Sequence, residues 1–337
     1  MNLKKQQIII LAVVLVLVVS VVSVALLLNT ENGGVPNGNG DVVESGEWVD
    51  LYANIASVAT DNEFGSTSGL SDVFFVDENE GWATTSDVAE IYHTTDGGET
   101  WEVQTTQLPC NAIWMLNKNE GYAGGKSGFV YRTTNGGQTW NLHGTISATL
   151  TDISFYGQSS TGFACGLDSA SAQISPKGVT LTDKITNGVL SGVSATASNE
   201  ATFCGGSLLL RYNGSAMIGD QFRPSGGYNA IFMLNNEQGW AVGDSGIIIH
   251  TTDGVNWFEQ TNPKTNTLFD VEFLNANEGW AIGTGGTIIH TTNGGTTWTV
   301  KGDGQTTNSL TGVSAPTPGC IYISGNNGTF LKYVAEN

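Results

Sequence analysis

The sequence predicts an all-β protein, a seven-bladed β-propeller of four-stranded antiparallel blades preceded by one N-terminal transmembrane helix. The first observation is a recurring tetrapeptide: Glu80-Gly81-Trp82-Ala83, Glu120-Gly121-Tyr122-Ala123, Gln238-Gly239-Trp240-Ala241 and Glu278-Gly279-Trp280-Ala281, with Thr161-Gly162-Phe163-Ala164 as a weaker copy. The second is a β-branched residue about eight positions upstream, at Val73, Ile113, Ile153, Val193, Ile231, Val271 and Val313, whose successive spacings are 40, 40, 40, 38, 40 and 42. Periods of this size mark repeat folds, and four short strands per forty residues make a propeller blade. The third is a run of 21 positions, Ile8 to Leu28, that is apolar except for Ser20 and Ser23.

Taken in order, residues 1–7 carry Lys4 and Lys5 and form a short cytoplasmic N-terminus. Residues 8–28 are long enough, at about 1.5 Å per residue, to span a hydrocarbon core of about 30 Å. They show no polar stripe of the kind a core helix needs. They read as an uncleaved signal anchor. A cleaved signal peptide is the competing reading, since Ser23-Val24-Ala25 is a small-x-small site, but Leu26 to Leu28 prolong the apolar run beyond it. Lysines before the span and Glu31, Asp41 and Glu44 after it put the remainder on the extracytoplasmic side. Residues 29–45 are rich in Gly and Asn and read as a flexible tether.

Residues 46–337 are the propeller. Each unit contains an apolar run, a polar turn such as Asp77 to Gly81, a second run from the motif Trp, a glycine-containing turn, a third run and a fourth that begins at another Trp. Short runs joined by tight turns are antiparallel hairpins. The last unit stops after its third run, Thr329 to Val334, whereas Gly46-Glu47-Trp48 resembles the start of a fourth run at Gln138-Thr139-Trp140. Residues 46–52 therefore serve as the closing strand of blade 7.

Composition limits the function classes. Twelve Lys and Arg against 31 Asp and Glu leave a net charge of −19, which disfavours a nucleic-acid partner. Cys110, Cys165, Cys204 and Cys320 have no metal-ligand spacing, so neither a metal nor a cofactor is expected.

Third and fourth runs are joined by TTDGGETW from Thr94, TTNGGQTW from Thr133, TTDGVNW from Thr251 and TTNGGTTW from Thr291. Asp96, Asn135, Asp253 and Asn293 can bond their own turn, glycine supplies positive φ, and Trp101, Trp140, Trp257 and Trp298 bury a large face. Blades 3 and 4 have lost most of this motif. These Asp-box, or BNR, repeats, together with Gly239 to Gly254, resemble the photosystem II stability and assembly factor family of seven-bladed propellers. The resemblance implies a non-catalytic assembly or binding role outside the cytoplasm, with the box as scaffold. Asp boxes also occur in sialidases and xyloglucanases, so a carbohydrate-active enzyme or a glycan-binding lectin is the alternative. The partner classes are accordingly the membrane through residues 8–28, another membrane or cell-surface protein, or a glycan.

Several constellations carry two readings. His93, Arg132, Arg211, His250, His290 and Lys332 share one repeat position, as a basic ring for an acidic partner or as a half-buried strand position. Asp72, Asp152 and Asp270 share another, as channel carboxylates for a cation or sugar or as acceptors of backbone hydrogen bonds. Cys165 and Cys204 occupy equivalent positions of adjacent blades, as buried thiols or a disulfide. The position after the β-branched ruler varies most: Phe74, Trp114, Ser154, Ser194, Phe232, Glu272 and Ser314. Such divergence suits an asymmetric ligand. Phe74, Trp114, Phe232 and Glu272, together with Phe222 and Arg223 of the long excursion Met217 to Gly227, are the candidate partner-binding residues. They are expected on one face, built by loops entering the first strands and joining second to third strands.

Overall fold

The computed structural model describes residues 46–56, 69–182, 188–219 and 223–336. Residues 8–28 and residues 29–45, expected as anchor and tether, lie outside this set, and among the described residues no helix is long and apolar enough to cross a membrane. Two units separate: Trp48–Val334, which carries the propeller, and Met1–Glu47 with Ala335–Asn337.

Seven antiparallel sheets of four strands form the blades. The innermost strands are Leu70–Phe75, Cys110–Met115, Leu150–Phe155, Gly192–Ala197, Tyr228–Met233, Leu268–Phe273 and Leu310–Thr317. Blade 1 continues outward through Gly81–Thr85, Glu90–Thr94 and Glu102–Thr105. In blade 7 the order from the outside is Gly46–Asp50, Phe330–Ala335, Cys320–Gly325 and Leu310–Thr317. The first strand among the described residues thus forms the outer edge of the last blade. That strand ends at Asp50 rather than at residue 52, because Leu51 donates its N–H to Phe330 O (2.8 Å) and then accepts from Asn54 N (3.1 Å), starting a short helix, Tyr52–Ala56.

The repeated motifs lock blades to one another. The indole of Trp82 in blade 1 and the side-chain amide of Gln104 both donate to Gly136 O in the blade 2 box, at 3.3 and 2.9 Å. Trp240 and Gln260 of blade 5 repeat this on Gly294 O of blade 6, at 3.1 and 2.9 Å. The box itself is a closed turn. Thr94 Oγ1 accepts from Gly98 N, and Asp96 Oδ1 accepts from Thr100 N, while Gly97 and Gly98 adopt φ of 72° and 93°. In these two pairs of adjacent blades the tetrapeptide Trp and the following box are hydrogen-bond partners across the blade boundary.

Between blades the core is aromatic. An inner-strand Phe of one blade lies flat on a second-strand aromatic of the blade before it: Phe155 on Tyr122 (4.8 Å), Phe273 on Trp240 (3.6 Å) and, across the closure, Phe75 on Tyr322 (3.5 Å). The glycine that opens the second strand in blades 1, 3 and 6 makes room for that Phe. A Cβ at Gly279 would lie 2.5 Å from the Phe273 ring, which Trp240 holds from behind. Gly279→Ala is therefore expected to cost about 1–3 kcal/mol, as overpacked cores do, measurable by denaturant unfolding. An unchanged midpoint would mean that the Phe273–Trp240 stack is free to move.

All four cysteines are buried and free.

Candidate functional site

The inner strands run along a central channel, and their channel-facing side chains form successive rings. At one mouth Ser71, Asn111, Thr151, Ser191, Asn229, Phe269 and Thr311 stand at equivalent positions around a cavity of about 620 Å³. Four of them tie the next blade: Asn111, Thr151, Asn229 and Thr311 donate to Leu150 O, Leu190 O, Leu268 O and Leu70 O at 2.7–2.9 Å. Phe269 is the ring's one aromatic and is 37% exposed. Sequence reasoning missed this ring. Its signal was available: the position before Asp72 and its equivalents is polar in six of seven blades.

The next ring holds Asp72, Asp152 and Asp270. Asp72 accepts from Val73 N (2.8 Å) and from Ile113 N of blade 2 (2.9 Å). Asp152 does the same with Ile153 N and Val193 N, and Asp270 with Val271 N and Val313 N. Of their two readings, the backbone-acceptor one matches the geometry. Burial raises the pKa of Asp72 to about 6 and that of Asp152 to about 7, and repulsion from Asp72 adds to the rise at Asp152. Asp270 is raised well above its ordinary value by burial and by both other aspartates.

Two residues further along each strand, Phe74, Trp114, Phe232 and Glu272 meet in one cavity of about 290 Å³, whose walls include Tyr156 and Leu234 from the far ends of the inner strands. Phe74 and Trp114 pack with ring centroids 5.0 Å apart. The variability of this position has a structural component. Ser154, Ser194 and Ser314 accept N–H groups of Ala195, Met233 and Phe75 in the following blades, and Glu272 Oε2 accepts from Ala315 N (2.8 Å). Burial pushes the Glu272 pKa up to about 8.

The expectation that all candidates share one face is corrected. The cavity holding Trp114 opens toward the turns between first and second strands, which contact the Asp boxes: Gly97 N donates to Asn79 O, Gly136 N to Asn119 O and Gly294 N to Asn277 O. The loops entering the first strands are at the opposite mouth, because four residues at about 3.3 Å each carry the strand about 13 Å along the channel. Arg223 precedes that opposite side, where Ser225, Asp244, Glu259 and Lys264 help line a groove of about 650 Å³. Phe222 lies outside the described residues.

The basic ring is used internally. Each residue of the ring stands directly opposite a second-strand residue, and in five blades that residue is aromatic: Trp82↔His93, Tyr122↔Arg132, Trp240↔His250, Trp280↔His290 and Tyr322↔Lys332. His93 also meets Glu80 (3.3 Å), Arg132 meets Glu120 (2.6 Å) and Arg211 meets Glu200 (3.5 Å). No arginine lines either axial cavity or the groove. Among the described residues no group of His, Cys, Asp or Glu is placed to hold a metal ion.

Residues 56–147 match the model of a family described as photosynthesis system II assembly factor YCF48. The chain resembles the YCF48 family. Among solved structures, YCF48 bound to a D1 peptide aligns over 91% of this chain and 100% of its own, with TM-score 0.67 and 21% identity. YCF48 from Cyanidioschyzon merolae aligns over 85% and 98%, with TM-score 0.65 and 17% identity. The WD40 propeller domain of Doa1 aligns over 81% and 96%, with TM-score 0.66 and 12% identity. Comparison with curated proteins gives no match. These similarities establish the shared propeller fold. The YCF48 match spans blades 1 and 2, adjacent blades with complete boxes, and stops before blades 3 and 4, where the box has decayed.

Proposed function

We propose that this protein is a membrane-anchored, extracytoplasmic binding and assembly module that captures a polypeptide and does no chemistry on it. The observation that carries this reading is the internal use of the groups catalysis would need. Asp72, Asp152 and Asp270 are each committed to two backbone N–H groups, and Arg132 and Arg211 are paired with glutamates on the strands beside them. Sialidase-type chemistry needs arginines converging on a carboxylate, and glycosidase-type chemistry needs an acid pair free to reach a bond. The likeness to a YCF48 solved with a D1 peptide supports a polypeptide as the ligand class. The apolar run Ile8 to Leu28, with Lys4 and Lys5 before it, supports anchoring and orientation.

Two measurements test the proposal. Protease added to intact spheroplasts is expected to release a fragment of about 290 residues by cutting in the tether; digestion only after lysis would reverse the orientation. In pull-downs of native membrane partners, Trp114→Ala and Arg223→Ala probe opposite ends of the channel, and at least one is expected to reduce capture severalfold with Tm unchanged. Wild-type capture by both, or a glycosidase activity abolished by Asp72→Asn or Asp152→Asn, would overturn the reading.

A further inference from the structure

The geometry points to a ligand class for the box-side cavity: one cationic side chain, an ammonium or guanidinium on an unbranched stem, presented by a polypeptide. The inference rests on the binding role proposed above and narrows it to one end of the channel and one kind of group.

Size comes first. A cavity of about 290 Å³ lies at or below the lower end of ligand pockets, which run from about 300 Å³ upward, so it suits a single side chain better than a glycan. Charge comes second. Its lining includes Asp72, Asp152, Asp270 and Glu272 and no Lys, Arg or His. The aspartate oxygens are engaged with backbone N–H groups, but Glu272 is not fully engaged. Its Oε2 accepts from Ala315 N, and Oε1 has no hydrogen-bond partner among the described residues, while the side chain is half-buried in the wall of the cavity. A carboxyl oxygen left open to the cavity in this way favours a charged donor, whose binding also draws the acid into its ionised form.

Aromatic lining is the third and independent observation. Phe74, Trp114 and Phe232 stand at the same level as Glu272, half-buried, and Tyr156 one level further out is 47% exposed. Ring faces around a carboxylate form a cation site, with cation–π attraction of about 0.5–2 kcal/mol per desolvated contact. The same molecule shows this combination at work on its own cations. Arg132 lies over the Tyr122 ring at 5.8 Å while pairing with Glu120, and Lys332 lies over Tyr322 at 5.2 Å. The cavity offers the aromatic and acidic partners of that arrangement and supplies no cation from its own lining. A net charge of −19 draws basic segments toward the protein as a whole. A divalent metal ion fits less well, since the aspartate oxygens that would have to converge on it are held by the strands.

Isothermal titration calorimetry on the full chain tests this with acetyl-Gly-Gly-Lys-Gly-Gly-amide, the same peptide carrying Nε-acetyl-lysine, and free cadaverine. The lysine peptide is expected to bind, with a loss of at least about tenfold on acetylation and with cadaverine weaker than the peptide. Glu272→Gln, which keeps an acceptor for Ala315 N, is expected to cost about tenfold, and Trp114→Leu a similar factor should the first variant fold poorly. No heat at millimolar lysine peptide, equal affinity for the acetylated peptide, or affinity unmoved by Glu272→Gln or Trp114→Leu would overturn the inference. Cadaverine binding as tightly as the peptide would overturn its polypeptide source in favour of a free amine. Intact partner capture by a protein that fails these titrations would sink this inference alone and leave the binding role standing.

Discussion

Deletion of residues 46–51 from the full chain is expected to lower Tm by about 10 °C or more, whereas deletion of residues 33–38 should leave it unchanged. The segment supplies the outer strand of blade 7, and its contacts extend beyond the backbone ladder. Trp48 donates its indole N–H to Lys301 O of blade 6 (3.1 Å) and packs on Tyr333 at 5.1 Å and Trp280 at 6.2 Å. Leu51, 4% exposed, sits in one cluster with Ile55, Trp101 and Phe330. Losing one buried leucine costs about 2–5 kcal/mol, and removing Trp48 and a row of strand hydrogen bonds adds to it. At about 2–4 °C per kcal/mol for larger domains, the sum reaches the stated fall. The deletion also exposes Phe330–Ala335 as a sheet edge, so concentration-dependent aggregation on heating should accompany the lower Tm. Equal melting of the two deletion variants would mean that the blade closes without this strand.

The fold was legible because each motif reports a blade boundary. The tetrapeptide and the Asp box meet across a blade boundary, as Trp82 and Gly136 show, and the β-branched ruler residue, present in seven copies at a near-constant spacing, counts the blades. The edge strand was readable because Trp48 repeats the position of a box Trp. The short helix after it was not, since nothing in Tyr52 to Ala56 distinguishes a turn of helix from loop.

The candidate site was legible only in part. The residues following the ruler do gather in one cavity, but their variety reflects two causes. Ser154, Ser194 and Ser314 satisfy backbone donors of the following blades, while Phe74, Trp114 and Phe232 line the cavity. A hydroxyl that accepts an N–H and a hydroxyl offered to a ligand are the same letter in a sequence. Placing Trp114 with Arg223 failed for a different reason: periodicity names equivalent positions but carries no direction along the channel. The basic ring resolved once register was known, because cross-strand pairing sets His93 against Trp82 and Arg132 against Tyr122.

Thermal stability is expected to fall as pH rises from 6.5 to 8.5, by about 5–10 °C at fixed ionic strength. Ordinary carboxylates are already ionised across this window, so the protein's general negative charge changes little. The channel acids are different. Burial raises Asp152 to about 7 and Glu272 to about 8, and lifts Asp270 well above its ordinary value. In the unfolded chain all of them titrate near pH 4. A group whose folded pKa is raised binds its proton more tightly in the native state. Its contribution is complete below pH 4 and disappears as pH climbs through the folded value. Each unit of difference is worth about 1.4 kcal/mol, and the channel position and mutual coupling of these groups make the total an order of magnitude only. Two histidines set the opposite limb. Burial and Lys301 depress His290 to about 4, and burial lowers His250, so acidification below about 6.5 charges them in the unfolded chain first and costs stability there. Stability should therefore peak on the acid side of neutrality. Glu272→Gln is the decisive variant, since it removes a titrating group while keeping an acceptor for Ala315 N. Its Tm at pH 8.5 should exceed that of the wild type, and its decline from pH 6.5 should be shallower. A wild-type Tm flat across the window, or a variant whose decline matches the wild type, would mean that the channel hydrates Glu272 well enough to ionise it at its ordinary pKa.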